Sequence, residues 1–79
     1  MPPLVDLLFE ENEIDGRFDL RHAQKVQLLN NRFAPERGQL TLRDCRDVLL
    51  KGNRLGDETL PAARIRIEDR ATRDSVKQQ

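Results

Sequence analysis

The sequence predicts an all-α fold, a small bundle of three to four short helices. Three observations point there. Apolar residues recur at helical spacing in several segments. Proline and glycine fall between those segments, where helices start and stop. Oppositely charged residues near the C-terminus stand four apart, as on a helix surface. The chain has 79 residues, enough for one domain, taken as residues 1–74 followed by a mobile tail at 75–79. No internal repeat or low-complexity tract is evident.

The first predicted helix covers residues 3–11. Pro2 and Pro3 suit a helix start, and Leu4, Val5, Leu8 and Phe9 fit one face. The second covers residues 19–33. Asp19 serves as N-cap, and Ala23, Val26, Leu29 and Phe33 form its stripe. Leu20 and Leu28 stand off that stripe. The loop FAPERGQ follows, punctuated by Pro35 and Gly38. Thr41 then caps a third helix over 42–51, with Leu42, Cys45, Val48 and Leu49 inward and Gly52 as its C-terminal stop.

Residues 60–74 read in two ways. Pro61, the Ala62-Ala63 pair and the pairs Arg64/Glu68, Asp69/Arg73 and Arg70/Asp74 favour helix. The alternation across residues 64–68, RIRIE, favours a strand. The alternative fold is therefore α+β, with a short hairpin near 13–18 and a strand near 64–68.

Composition narrows the function. Hydrophobic residues make up 37% and charged residues 35%, so the core is thin and a dimer or a larger docking partner is expected. The single Cys45 cannot form an internal disulfide or a thiolate zinc site. The run LVDLLF is short and broken by Asp6, unlike a signal peptide or membrane span. A cytoplasmic location is expected, with no membrane contact, cofactor or small-molecule substrate implied.

Net charge is zero, yet the charges are segregated. Residues 1–20 hold six acids against one base, and residues 21–54 hold eight bases against three acids. This suits either internal neutralisation or a basic face kept for an anionic partner.

The stretch EENEIDGRFD, residues 10–19, resembles in outline a calcium loop centred on Gly16. Glu11, Glu13, Asp15 and Asp19 would supply ligands, but His22 falls where a bidentate Glu is needed. The better reading is an Asp15-Gly16 turn, with a calcium switch a distant third function. His22 and Cys45 lack the supporting groups of a nucleophilic site, so no catalytic residue is assigned.

These features together predict a non-catalytic protein–protein interaction module, a small cytoplasmic regulator, inhibitor or adaptor. Its partner is another protein or itself as a homodimer. The expected contact residues are Leu28, Arg32, Arg43 and Arg46, an apolar group rimmed with arginine beside Leu20, Leu50 and Ile65. The alternative is a nucleic-acid-binding regulator that uses the basic middle segment.

Overall fold

The computed structural model describes residues 2–79 and shows a stack of strands in place of the helical bundle. The strands are β1 (Leu4–Glu10), β2 (Glu13–Ile14), β3 (Arg17–Leu29), β4 (Arg32–Phe33), β5 (Gln39–Lys51), β6 (Arg54–Leu55), β7 (Glu58–Thr59), β8 (Ile65–Ile67) and β9 (Val76–Gln78). A 3-10 turn (Ala62–Arg64) precedes β8, and one short helix, α1 (Arg70–Ser75), joins β8 to β9.

One sheet runs β1-β3-β5-β8, with β9 also on β5, and a second runs β2-β4-β6-β7. All pairings are parallel except β6 with β7. The chain thus winds as a parallel β-helix, each coil laying one strand in each sheet above the last. Register makes the repeat explicit. Leu4 pairs with Ala23, and Ala23 with Cys45, steps of 19 and 22 residues.

Stacking turns equivalent positions into columns. Leu7, Val26, Val48 and Val76 form one, and Phe9, Leu28 and Leu50 a second. Leu20, Leu42 and Ile67 form a third, and Ile14, Phe33 and Leu55 a fourth. Ala23, Val26, Leu28, Phe33, Leu40, Leu42 and Cys45 are completely enclosed. Residues 39–60 repeat residues 17–38 in this pattern, a repeat hidden by divergent outward side chains.

The corners explain why the sequence looked helical. His22, Lys25 and Asn30 take positive φ in the second coil, and Asp44, Asp47 and Gly52 do so in the third. Asp6 and Glu11 occupy the matching corners of the first. A plain strand sends every second side chain inward. Each left-handed residue turns the chain and lengthens that step to three. Inward residues therefore run Leu20, Ala23, Val26, Leu28 and then Leu42, Cys45, Val48, Leu50. Steps of three imitate one face of a helix.

The helical segments expected over 3–11, 19–33 and 42–51 are corrected on this ground. Residues 3–11 contain β1, residues 19–33 lie in β3 and β4, and residues 42–51 belong to β5. Residues 60–74 hold the 3-10 turn, β8 and most of α1. The hairpin near 13–18 does not form, because β2 pairs with β4 and β3 pairs with β1 and β5. A strand does run Ile65–Ile67, but parallel to β5. Val76–Gln78, expected within a mobile tail, pairs with β5 as β9.

A ladder of asparagines runs along the coil axis. The Asn31 side-chain oxygen accepts from the Asn12 backbone N–H (3.0 Å) and Nδ2 (3.1 Å). Asn31 Nδ2 donates to Phe9 O (2.9 Å) and Asn53 Oδ1 (3.1 Å), while the Asn31 backbone N–H also reaches Asn53 Oδ1 (3.1 Å). Asn53 Nδ2 donates to Leu28 O (2.8 Å). Asn31 is wholly buried, and these bonds satisfy the corner that a hydrophobic residue would leave open.

Two stability predictions follow from these corners. Asn31→Ala leaves buried partners on both neighbouring coils unpaired and should cost about 3 kcal/mol, measured by denaturant unfolding. Lys25→Gly removes a left-handed penalty of about 1–2 kcal/mol against a glycine entropy cost of about 0.5–1 kcal/mol. It should raise stability slightly, shown as a higher denaturation midpoint at unchanged slope.

Candidate functional site

The end of the stack formed by the first coil combines exposed apolar side chains with unneutralised acids. Leu4 is 56% exposed, Val5 45% and Leu8 58%, and all three lie on β1. Leu4 belongs to the interior column of Ala23 and Cys45, but no described strand covers it. Leu7, Phe9 and Ile14 are half-buried for the same reason. β3 pairs with one edge of β1, and among the described residues no strand pairs with the other.

Residues 2–16 carry five acids and no base. Asp15 meets Arg37 at 3.3 Å. Asp6, Glu10, Glu11 and Glu13 have no ion-pair partner among the described residues. A groove of about 430 Å³ runs from this end along the corner column, between Asp6, Leu8, Lys25, Asp47 and Leu49.

EENEIDGRFD is thereby broken into separate duties. Glu11 makes a left-handed corner, Asn12 heads the asparagine ladder, and Glu13–Ile14 is β2. Gly16 takes φ of +132°, a conformation that favours glycine. Asp19 is tied to Arg17 at 3.2 Å. Among the described residues no three His, Cys, Asp or Glu side chains converge as a metal site.

The expected contact residues are scattered. Leu28 lies fully inside, in the column of Phe9 and Leu50. Leu20 and Leu50 are also interior, and Ile65 is half-buried against the core. Arg32 pairs with Asp57 at 2.9 Å. Arg46 donates to Cys45 O at 2.8 Å and stands 3.8 Å from Asp44 and 3.9 Å from Asp69. Arg43 registers directly against Arg21. Arg21, Arg43 and Arg66 carry no carboxylate partner among the described residues and lie on neighbouring strands of one sheet. Arg64, in the 3-10 turn before β8, is instead bound to Gly38 O and Pro35 O, both at 2.9 Å.

His22 and Cys45 are kept apart in role. His22 sits at a corner, with Nδ1 2.8 Å from Asp44 Oδ2. Cys45 is interior, its thiol directed at Leu20 O and Arg43 O. Burial pushes that thiol above its ordinary pKa, so it packs as a small hydrophobe.

Asp69 anchors the fourth coil. Its carboxylate accepts from the Asp44 N–H (2.9 Å), the Thr72 hydroxyl (2.7 Å) and the Thr72 N–H (3.2 Å). The Thr72 oxygen in turn accepts from Cys45 N at 2.9 Å. α1 is thus fastened to β5 through its N-cap.

No known protein family, curated protein or solved structure matches the chain. Among the described residues, no helix is long and apolar enough to cross a membrane. The site therefore stands on its own geometry. The sequence did carry its signal, since Leu4, Val5, Leu8 and the surrounding acids are contiguous. Helical spacing assigned those leucines to a core face.

The Asp44 N–H, ahead of the Thr72 hydroxyl, holds the Asp69 carboxyl below its ordinary pKa. A lowered folded-state pKa stabilises the fold above the unfolded value, near the usual carboxylate range, and that contribution is lost as pH falls through the folded value. Asp69→Asn should lower stability at neutral pH and flatten the acid limb of a stability-versus-pH series. An acid limb identical to wild type would remove Asp69 as its source.

Proposed function

We propose that the chain is a non-catalytic protein-interaction module that docks on another protein or on a copy of itself through the first coil, accepting an extended segment that carries basic residues alongside β1. One observation carries this reading: the large exposed apolar side chains Leu4, Val5 and Leu8 all stand on a strand with an open edge. An open edge offers unpaired N–H and C=O groups in a row, and an added strand satisfies them. Alternate side chains then supply selectivity. The uncovered interior column favours apolar residues, and Asp6, Glu10, Glu11 and Glu13 favour lysine or arginine around them. Such a module acts as a regulator, inhibitor or adaptor. A cytoplasmic setting suits the buried, unpaired Cys45.

A peptide of alternating valine and lysine tests the site. It should bind, weaken with added salt, and slow hydrogen exchange at β1 amides while leaving β5 unchanged. Val5→Lys combined with Leu8→Lys should reduce affinity tenfold or more, about 1.4 kcal/mol. Equal binding by the double variant would place the contact elsewhere.

A second reading rests on Arg21, Arg43 and Arg66, the unneutralised guanidinium groups on one sheet. Like charges directly opposite across strands destabilise a sheet, so this arrangement suits a bound polyanion such as nucleic acid. Duplex DNA should then bind with affinity that falls steeply with salt. Arg21→Gln with Arg43→Gln should reduce both the affinity and the salt slope, and no binding at low salt would eliminate this reading.

A further inference from the structure

We infer that the segment occupying the β1 edge is a second copy of this chain, stacked head to tail with its β9 against β1. This rests on β1 being the docking edge and names its occupant.

Both ends of the coil stack leave interior apolar side chains partly uncovered. At one end Leu4 is exposed and Leu7, Phe9 and Ile14 are half-buried. At the other, Ile65, Ile67 and Val76 are half-buried against the core. Among the described residues, β8 and β9 each pair with β5 and with no further strand. Repeat stacks need their terminal coils covered or made polar. Here the first coil presents the interior itself, and at the other end Ile65, Ile67 and Val76 do so, while Thr72 of α1 and Gln78 close the columns of Cys45 and Leu50.

The two ends match in register. Val76 closes the column of Leu7, Val26 and Val48. A copy added one strand spacing along the axis, about 4.8 Å, sets Val76 beside Leu7 and extends that column across the junction. Lys77 then falls beside Leu8, because both belong to the column of Gln27 and Leu49. Gln78 falls beside Phe9 by the same count. The strands meet parallel, as they do throughout this sheet.

The charges select the same arrangement. Lys77 enters between Asp6 and Glu10, two acids without partners of their own. Residues 64–79 carry five bases against three acids, whereas residues 2–16 carry five acids alone. Joining two β1 edges instead would set acids against acids. The contact is heterologous, since each copy uses a different surface, so addition can continue copy by copy into an open stack.

Sedimentation velocity over a concentration series, with two single-end variants, tests this. Leu8→Lys blocks the β1 end and leaves Lys77 intact. Lys77→Glu blocks the β9 end and leaves β1 intact. Both positions face outward, and circular dichroism verifies that each variant keeps its β-type spectrum.

Wild type should grow in mass with concentration beyond a dimer. Each variant alone should stay monomeric, and an equimolar mixture should recover association, because it restores the pairing of an intact β1 edge with an intact β9 edge. Monomeric wild type at every concentration overturns the proposal. So does a mixture that remains monomeric, or association of either variant alone. Should self-association fail while the valine–lysine peptide still binds β1, the docking edge stands and the occupant is wrong. Failure of both removes the docking edge as well.

Discussion

The left-handed backbone at the corners sets where the other side chains go. Without it a strand alternates in and out and runs straight. With it, at Asp6, His22, Lys25, Asp44 and Asp47, the chain turns while keeping an apolar side chain pointed inward on each side of the bend. Asp, Asn and His adopt this conformation more readily than most residues, because their short polar groups bond locally. Lys25 and Glu11 adopt it at greater expense, and burial of the columns beside them offsets the strain. At the third corner the backbone must also be hydrogen-bonded inside the coil, and the Asn12–Asn31–Asn53 ladder does this from one coil to the next. At Gly52 the backbone φ is +68°, and an added Cβ would collide with the side-chain oxygen of Asn30 in the coil beside it. That corner is therefore confined both by conformation and by its neighbour.

A stack built in this way has finished sides and unfinished ends. Side chains on the flanks face water or pair across coils, as Arg32 does with Asp57 and Arg46 with Asp69. At the first coil the interior columns stop without a cover, and at both ends strand edges keep backbone groups without a strand partner among the described residues. Function is most naturally sought there, where apolar surface, open hydrogen-bonding groups and uncompensated charge coincide. The acidic segment of the sequence maps to the first coil and the basic one to the middle of the stack. Only part of that segregation is neutralised internally, through Asp15 with Arg37. Arg32 and Arg46 of the middle segment are paired with Asp57 and Asp69 instead, while Asp6, Glu10, Glu11 and Glu13 have no ion-pair partner among the described residues.

The sequence disclosed the interior better than the fold. Ala23, Val26, Leu42, Cys45 and Val48 were all placed on inward faces, and all are buried. The error lay in the period. A left-handed residue between two inward positions stretches the step from two to three, and short runs of threes resemble a helix. Leu28 and Leu50 could not be fitted to that helical stripe. Helical spacing leaves them as spare surface residues, although the step of two beyond the corner carries them inside. Leu8 suffered the opposite error, being assigned to a core face while it points outward. The asparagine ladder was legible in principle, as NNRF and GNRL stand 22 residues apart. Divergent flanking charges masked the match. Gly16 was expected to turn the chain between two helices; it stands instead at a bend between β2 and β3, with φ of +132°.

The fold stands on equivalent residues of successive coils lying side by side, and solution NMR reads this directly. Cross-peaks between the side-chain amides of Asn31 and those of Asn12 and Asn53 are expected, with strand-to-strand contacts linking Ala23 to Cys45 and Val26 to Val48. Contacts between residues three apart along 42–51, as a helix produces, with none between the asparagines, would contradict it.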